Sequence, residues 1–403
     1  MERFALSRMK EWKENENRKP LIIRGARQVG KTWIMKTFGQ QYFEKTAYVN
    51  FDNNARMKQV FEGDLDIERL VLSISAETGV SIEAENTLII FDEVQEVPKA
   101  LTSLKYFYEN APQYAIVAAG SLLGVALHQG TSFPVGKVDF LDLYPLNFRE
   151  FLCAMGEKQF VSMLDSCDTQ MVTVFKTKYI ERLREYYFVG GMPEVVKDFS
   201  EKKDYNRVRA IQKNLINYYQ QDFSKHAEIK LVPRLNLVWN SIPMQLAKEN
   251  KKYIYGQVRE GSRAKDFELA IQWLLDCGLI HKVQRIQKPD LPLKAYIDFD
   301  AFKLFLVDIG LLIAMTDLDA KVIIEGNKIF TEFKGSLTEQ YILQQLISDV
   351  GVIPYYYSTQ NSKGEIDFLV QGKTSVIPIE VKAEENLKAK SLKAFCEKYQ
   401  PSY

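Results

Sequence analysis

Gly25-Ala26-Arg27-Gln28-Val29-Gly30-Lys31-Thr32 fits G-x-x-x-x-G-K-[ST], the spacing of a loop that cradles phosphate. The apolar run Pro20-Leu21-Ile22-Ile23-Arg24 before it reads as a buried strand, and Trp33 to Gln40 after it as a helix. That order is what phosphate binding needs, because the loop amides and the first amides of the helix converge on one anion. In this setting Lys31 is expected to place a charge on the β- and γ-phosphates, and the Thr32 hydroxyl to hold Mg²⁺. ATP and Mg²⁺ are the ligands expected. The bland alternative, a glycine turn, leaves both flanking elements without a purpose.

Working outward, the next signal is Leu88-Ile89-Ile90-Phe91-Asp92-Glu93. Four apolar residues in a row suit a parallel strand buried on both faces, and the carboxylates then fall at its C-terminal end, where open α/β sheets bind ligands. Asp92 is expected to orient Mg²⁺, and Glu93 to polarise the water that attacks the γ-phosphate. The competing reading is a strand cap followed by a solvated Glu. Thr46 to Phe51 is a further strand, and Tyr114 to Ala119 another, ending at Gly120-Ser121. Ser121 is a candidate sensor of the γ-phosphate and equally a helix N-cap. Phe4 to Trp12 reads as an amphipathic helix. No arginine finger stands out among Arg24, Arg27, Arg149 and the later arginines.

The 403 residues exceed what one core sustains, so two or three domains are expected. Lys plus Arg number 53 against 52 for Asp plus Glu, which leaves no global electrostatic footprint for nucleic acid. The N-terminus lacks a secretory apolar core. The longest apolar stretch, Tyr114 to Leu127, is 14 residues and is broken by Gly120 and Gly124, too short to span a bilayer. Four scattered cysteines and three histidines argue against a zinc site or disulfide framework and point to a reducing cytoplasm.

Several further segments extend the pattern: Ala119-Gly120-Ser121-Leu122-Leu123-Gly124, Phe133-Pro134-Val135-Gly136-Lys137-Val138, and Leu143-Tyr144-Pro145-Leu146-Asn147-Phe148-Arg149-Glu150-Phe151. With the loop and the Asp92 strand, they resemble the prokaryotic AAA-type ATPases that carry a C-terminal domain of unknown function. The resemblance implies an AAA-type P-loop NTPase core with a parallel sheet, in which the strand carrying Asp92 lies beside the strand leading to the loop. It also covers the Gly190-Gly191 element closed by Pro193, and the stretch Tyr218-Tyr219-Gln220-Gln221-Asp222, read as a hinge. By physics alone the Gly-Gly element is a tight turn after a helix.

Between Leu231 and Leu312 the texture is helix, helix, strand, and the resemblance implies a winged-helix-like module. Gly278 to Val283 and Ala295-Tyr296 are its expected wing strands. Lys248, Lys251, Lys252, Arg259, Arg263 and Lys265 could meet phosphate backbones or form a solvated face. His226 and His281 have no partner at ligand spacing.

The end of the chain carries a second constellation. Glu339 on a helix, Asp367 on a strand, and Glu380-x-Lys382 on another strand resemble the PD-(D/E)xK pattern of restriction-endonuclease-like folds. Strand alternation puts Glu380 and Lys382 on one face, where Asp367 and Glu380 could share Mg²⁺, Lys382 activate water and Glu339 complete the acidic set. The alternative is an ordinary amphipathic strand. Relatives of this kind run beyond the equivalent of Tyr403, so the module is expected to continue.

The resulting expectation is an α/β chain in four parts: 1–155 an AAA-type ATPase domain, 156–225 a helical region and linker, 226–325 winged-helix-like, and 326–403 restriction-endonuclease-like. Three functions compete: an ATPase driving a DNA-handling module, a nucleotide-gated switch or scaffold binding protein partners or a second copy, and a metal-dependent DNA nuclease. No membrane partner is expected.

Overall fold

A computed structural model describes residues 1–120, 133–248, 251–325, 331–359, 364–383 and 389–401. The chain divides into two compact units, Met1–Tyr144 with Asp276–Gly278, and Pro145–Leu275 with Leu279–Tyr403.

The first unit is a parallel five-stranded sheet flanked by helices, a P-loop NTPase fold. Its strands are β1 (Leu21–Arg24), β2 (Lys45–Asn50), β3 (Thr87–Asp92), β4 (Ala115–Ala119) and β5 (Asp139–Asp142), in the order β2-β3-β4-β1-β5. All four pairings are parallel, so every strand delivers its C-terminal end to the same edge. The expected adjacency of β1 and β3 is corrected here. Strand β4 lies between them, pairing Leu21 with Val117 on one side and Ile90 with Val117 on the other. Strands β3 and β4 are both wholly buried, and equal apolar runs do not reveal which is central.

Among the described residues, five helices cover the faces: α1 (Ala5–Glu14), α2 (Lys31–Tyr42), α3 (Ala55–Glu62), α4 (Ile67–Thr78) and α5 (Pro98–Asn110). Asn54 and Asp66 cap α3 and α4 by accepting from Met57 and Arg69 amides. One side of the sheet closes on Phe51, Phe61 and Phe91, packed edge to face with centroids 5.4–5.7 Å apart.

The second unit begins with helices, including Phe148–Ala154, Lys176–Val189, Pro193–Lys202 and Tyr205–His226. The stretch expected as a hinge, Tyr218 to Asp222, is inside the unbroken Tyr205–His226 helix, with Tyr219 and Asp222 buried. Gly190 has φ +74°, and a Cβ there would stand 2.2 Å from the Asp308 carboxylate. Asp308 accepts from the Gly191 amide at 2.6 Å and the Leu311 amide at 3.0 Å, which explains the Gly-Gly turn without chemistry.

A mixed sheet completes this unit: β6 (Ile280–Ile286), β7 (Ile297–Leu306), β8 (Tyr355–Ser358), β9 (Glu365–Gln371) and β10 (Val376–Ile379), ordered β10-β9-β8-β6-β7. Of the stretches expected as wing strands, Gly278 to Val283 runs into β6, whereas Ala295-Tyr296 lies in a 3₁₀ turn before β7. A boundary at 325/326 would cut this sheet, because β6 pairs with β8 through Arg285–Tyr356 and Ile286–Tyr357. Strand β10 stops at Ile379, so Glu380 and Lys382 lie past the strand and owe their placement to something other than alternation. No helix among the described residues is long and apolar enough to cross a membrane.

Candidate functional site

The loop 25–32 leaves the C-terminal end of β1 and enters α2 directly. Gly25 has φ +142°, and a Cβ there would meet the Leu143 carbonyl oxygen at 2.1 Å, so only glycine lets the loop pass this backbone. Gln28 and Gly30 also take positive φ, 65° and 96°, which curls the loop. Gly30 is the N-cap of α2 and supplies no side chain, leaving the helix start to the backbone.

Lys31 is 7% exposed, and its Nζ donates to the Gly25 and Ala26 carbonyls at 2.9 and 2.8 Å. Burial pushes its pKa down to about 8, against the pull of Glu93 and Asp92, which favour the charged form. Thr32 Oγ1 donates to Asp92 Oδ2 at 2.6 Å. Residues sixty positions apart therefore meet at one point on the sheet edge. The backbone turns sharply after Asp92: Glu93 adopts φ +51°, its amide donates to Asp92 Oδ1 at 3.1 Å, and its Oε2 accepts from Gln95 Nε2 at 2.7 Å.

Residues 17–152 match a family model described as an AAA domain. This segment has the P-loop NTPase fold and is similar to AAA domains. In the rest of the chain, residues 180–322 and 334–403 match two domains of unknown function, DUF8612 and DUF4143. No curated protein matches the chain. Among solved structures it is similar to a Walker-type ATPase of Pyrococcus abyssi, 15% identical, covering 78% of this chain and 95% of that one, TM-score 0.48. It is also similar to the Aeropyrum pernix ORC1 protein in complex with DNA, 13% identical, covering 77% and 91%, TM-score 0.30.

The P-loop domain brings Lys31, Thr32, Asp92 and Glu93 together, while Ser121 lies outside the described residues. Sequence reasoning missed Tyr48, whose hydroxyl donates to Asp92 Oδ2 at 2.9 Å from the end of β2. Its pKa is raised by burial and then by Asp92. Only the position of Tyr48 near a strand end hinted at this. Of the finger candidates, Arg24 is held by Asp142 through two bonds of 2.9 and 3.0 Å and stacks on Phe140, and Arg149 is bonded to Asp349 at 3.0 Å.

The C-terminal residues also converge. Glu339 and Asp367 are close enough to influence each other's ionisation, and the Val381 amide donates to Asp367 Oδ2 at 2.7 Å, which brings the chain after β10 alongside β9. Two lysines not anticipated from the pattern share this cluster. Lys251 pairs with Glu339, and Lys303, 1% exposed, lies 3.6 Å from Glu339 and 2.5 Å from Glu365. Lys382 is bound to Glu380 at 2.5 Å. Burial works to lower the Lys303 pKa, but Glu339 and Glu365 outweigh it and hold it raised. Asp367 is pushed up to about 7 by burial and by Glu339. Lys251 is thereby removed from the basic set expected to meet phosphate. His281 is pushed down to about 4 by burial alone.

The two acidic sites differ in their donors. At the loop, one hydroxyl, one carboxylate and substrate phosphates are the oxygen set that Mg²⁺ takes. At the C-terminal cluster, ammonium groups already sit on the carboxylates. Among the described residues, no group of three or more His, Cys, Asp or Glu side chains is placed to hold a metal.

Proposed function

We propose that this chain binds Mg²⁺–ATP in the loop 25–32 and hydrolyses it. The observation that carries the proposal is the 2.6 Å contact between Thr32 and Asp92 beside the buried ammonium of Lys31. Loop and α2 amides bind the phosphates, Lys31 neutralises their outer oxygens, and Glu93 takes the proton of the attacking water. Bound Mg²⁺ supplies charge neutralisation on the β- and γ-phosphates. Thr32 and Asp92 are the residues that would hold it, with the Tyr48 hydroxyl orienting the carboxylate. Calorimetry of the full chain with ATP and Mg²⁺ tests the reading, and absence of binding by folded protein would end it.

The state of Lys31 gives binding a pH signature. Phosphate holds the ammonium charged, whereas the free protein loses its proton near pH 8. Binding therefore takes up a proton as pH approaches and passes 8, and affinity falls with rising pH across that range. Titrations from pH 7 to 9.5 in buffers of different ionisation enthalpy should show this uptake, and a Lys31→Met variant should not.

For the C-terminal cluster we propose an ion-pair core that ties β7 and β9 to the Thr331–Gln345 helix, in place of a metal-dependent nuclease centre. Removing one partner of a buried pair leaves the others uncompensated, so Lys303→Met should cost about 3–5 kcal/mol in urea denaturation. A wild-type-like midpoint, or Mn²⁺ binding abolished by Asp367→Asn, would contradict this core.

A further inference from the structure

The phosphate loop has a second cation behind it, which no motif contains. Arg3, in the segment preceding α1, is only 5% exposed, and its guanidinium reaches two backbone carbonyls of the first unit. Its Nη1 donates to the Val29 carbonyl at 3.0 Å and its Nη2 to the Tyr144 carbonyl at 2.6 Å. Val29 is the residue before Gly30, wholly buried, in the tightest part of the loop.

The geometry of a trans peptide gives this bond a consequence. The carbonyl of Val29 and the amide N–H of Gly30 belong to one plane and point in opposite directions. Holding the carbonyl toward Arg3 directs the Gly30 N–H away from it, to the side where the loop closes on phosphate. Arg3 thus turns a loop carbonyl aside, so that an amide and not a carbonyl oxygen meets the anion at this point. The Tyr144 contact also ties the loop to the segment after β5, where the Leu143 amide donates to Arg24 at 2.8 Å and Gly25 passes the Leu143 carbonyl.

Helix α1 has anchors besides Arg3. That helix has its own anchors in Met9 and Trp12, both buried, with Trp12 Nε1 donating to the Lys19 carbonyl at 2.7 Å. A buried guanidinium bonded only to carry a helix end would be redundant here.

We propose that Arg3 is a positioning residue of the nucleotide site, presetting the Gly30 amide for phosphate. The proposal rests on the reading of the loop as an ATP site. A bond made equally in ground and transition state affects binding and leaves the chemical step alone. Removing the charged donor in Arg3→Gln should therefore raise the Kd and KM for ATP about tenfold together, with kcat within about twofold. Arg3→Lys, whose single ammonium cannot span both carbonyls in a fork, should fall between, about threefold weaker than wild type.

The experiment uses the full chain with Mg²⁺–ATP, comparing wild type, Arg3→Gln and Arg3→Lys by calorimetry and steady-state hydrolysis, with thermal melting as a check on folding. The expected result is the graded loss in Kd and KM at unchanged kcat. Wild-type Kd and KM in either folded variant would overturn the positioning role. Should Arg3→Gln fail to fold, the threefold shift in Arg3→Lys decides alone. Failure of the wild type itself to bind ATP would instead strike the proposed function.

Discussion

Lys31→Ala is expected to lower ATP turnover by about 10²–10³-fold, the usual cost of deleting one preorganised electrostatic group from a transition state. The ammonium sits in a desolvated place, bonded to the Gly25 and Ala26 carbonyls, and burial has already brought its pKa to about 8. The folded protein without nucleotide gains little from that buried charge. The variant should accordingly melt near the wild type when free. The difference appears on adding nucleotide: wild type gains about 2.7 kcal/mol of stability when ATP is a hundredfold above Kd, and the variant gains far less. A coupled phosphate-release assay and melting curves with and without Mg²⁺–ATP measure both effects. Undiminished turnover in the variant would remove Lys31 from the mechanism.

Glu93→Gln separates binding from chemistry. The amide keeps the size of the side chain and its place after the left-handed turn, and it can still accept from Gln95. It cannot take a proton from water. Hydrolysis should drop by about 10²–10⁴-fold, the range for a lost general base, while the ATP Kd stays within about threefold. The variant should purify or equilibrate with intact ATP bound, read by chromatography of the extracted nucleotide. Wild-type turnover would assign the base elsewhere, and a collapse of binding would make Glu93 a ligand contact.

With Arg3, the proposed site is assembled from four places in the chain. The loop residues are contiguous, Asp92 and Glu93 come from the end of β3, Tyr48 from the end of β2, and Arg3 from before α1. The acids at 92 and 93 were legible because an apolar run ending in carboxylates has a clear meaning once a phosphate loop stands upstream. Tyr48 and Arg3 were not legible, because a tyrosine in a strand and an arginine near a terminus are ordinary residues until their partners are known.

The amino-acid sequence by itself determined the parallel, buried character of the first sheet, the loop and the pair of carboxylates. These depend on local properties: apolar runs, glycine spacing and residue type. Tertiary structure alone decided that β4 separates β1 from β3, and that β6 and β8 share a sheet. It also decided that Lys251 and Lys303 occupy the acidic cluster where the spacing of Glu339, Asp367 and Glu380 suggested a metal. The physical reason is common to all three. Strand order and charge pairing are settled by contacts between residues far apart in the chain, and a periodic pattern records which face is buried without recording what lies against it.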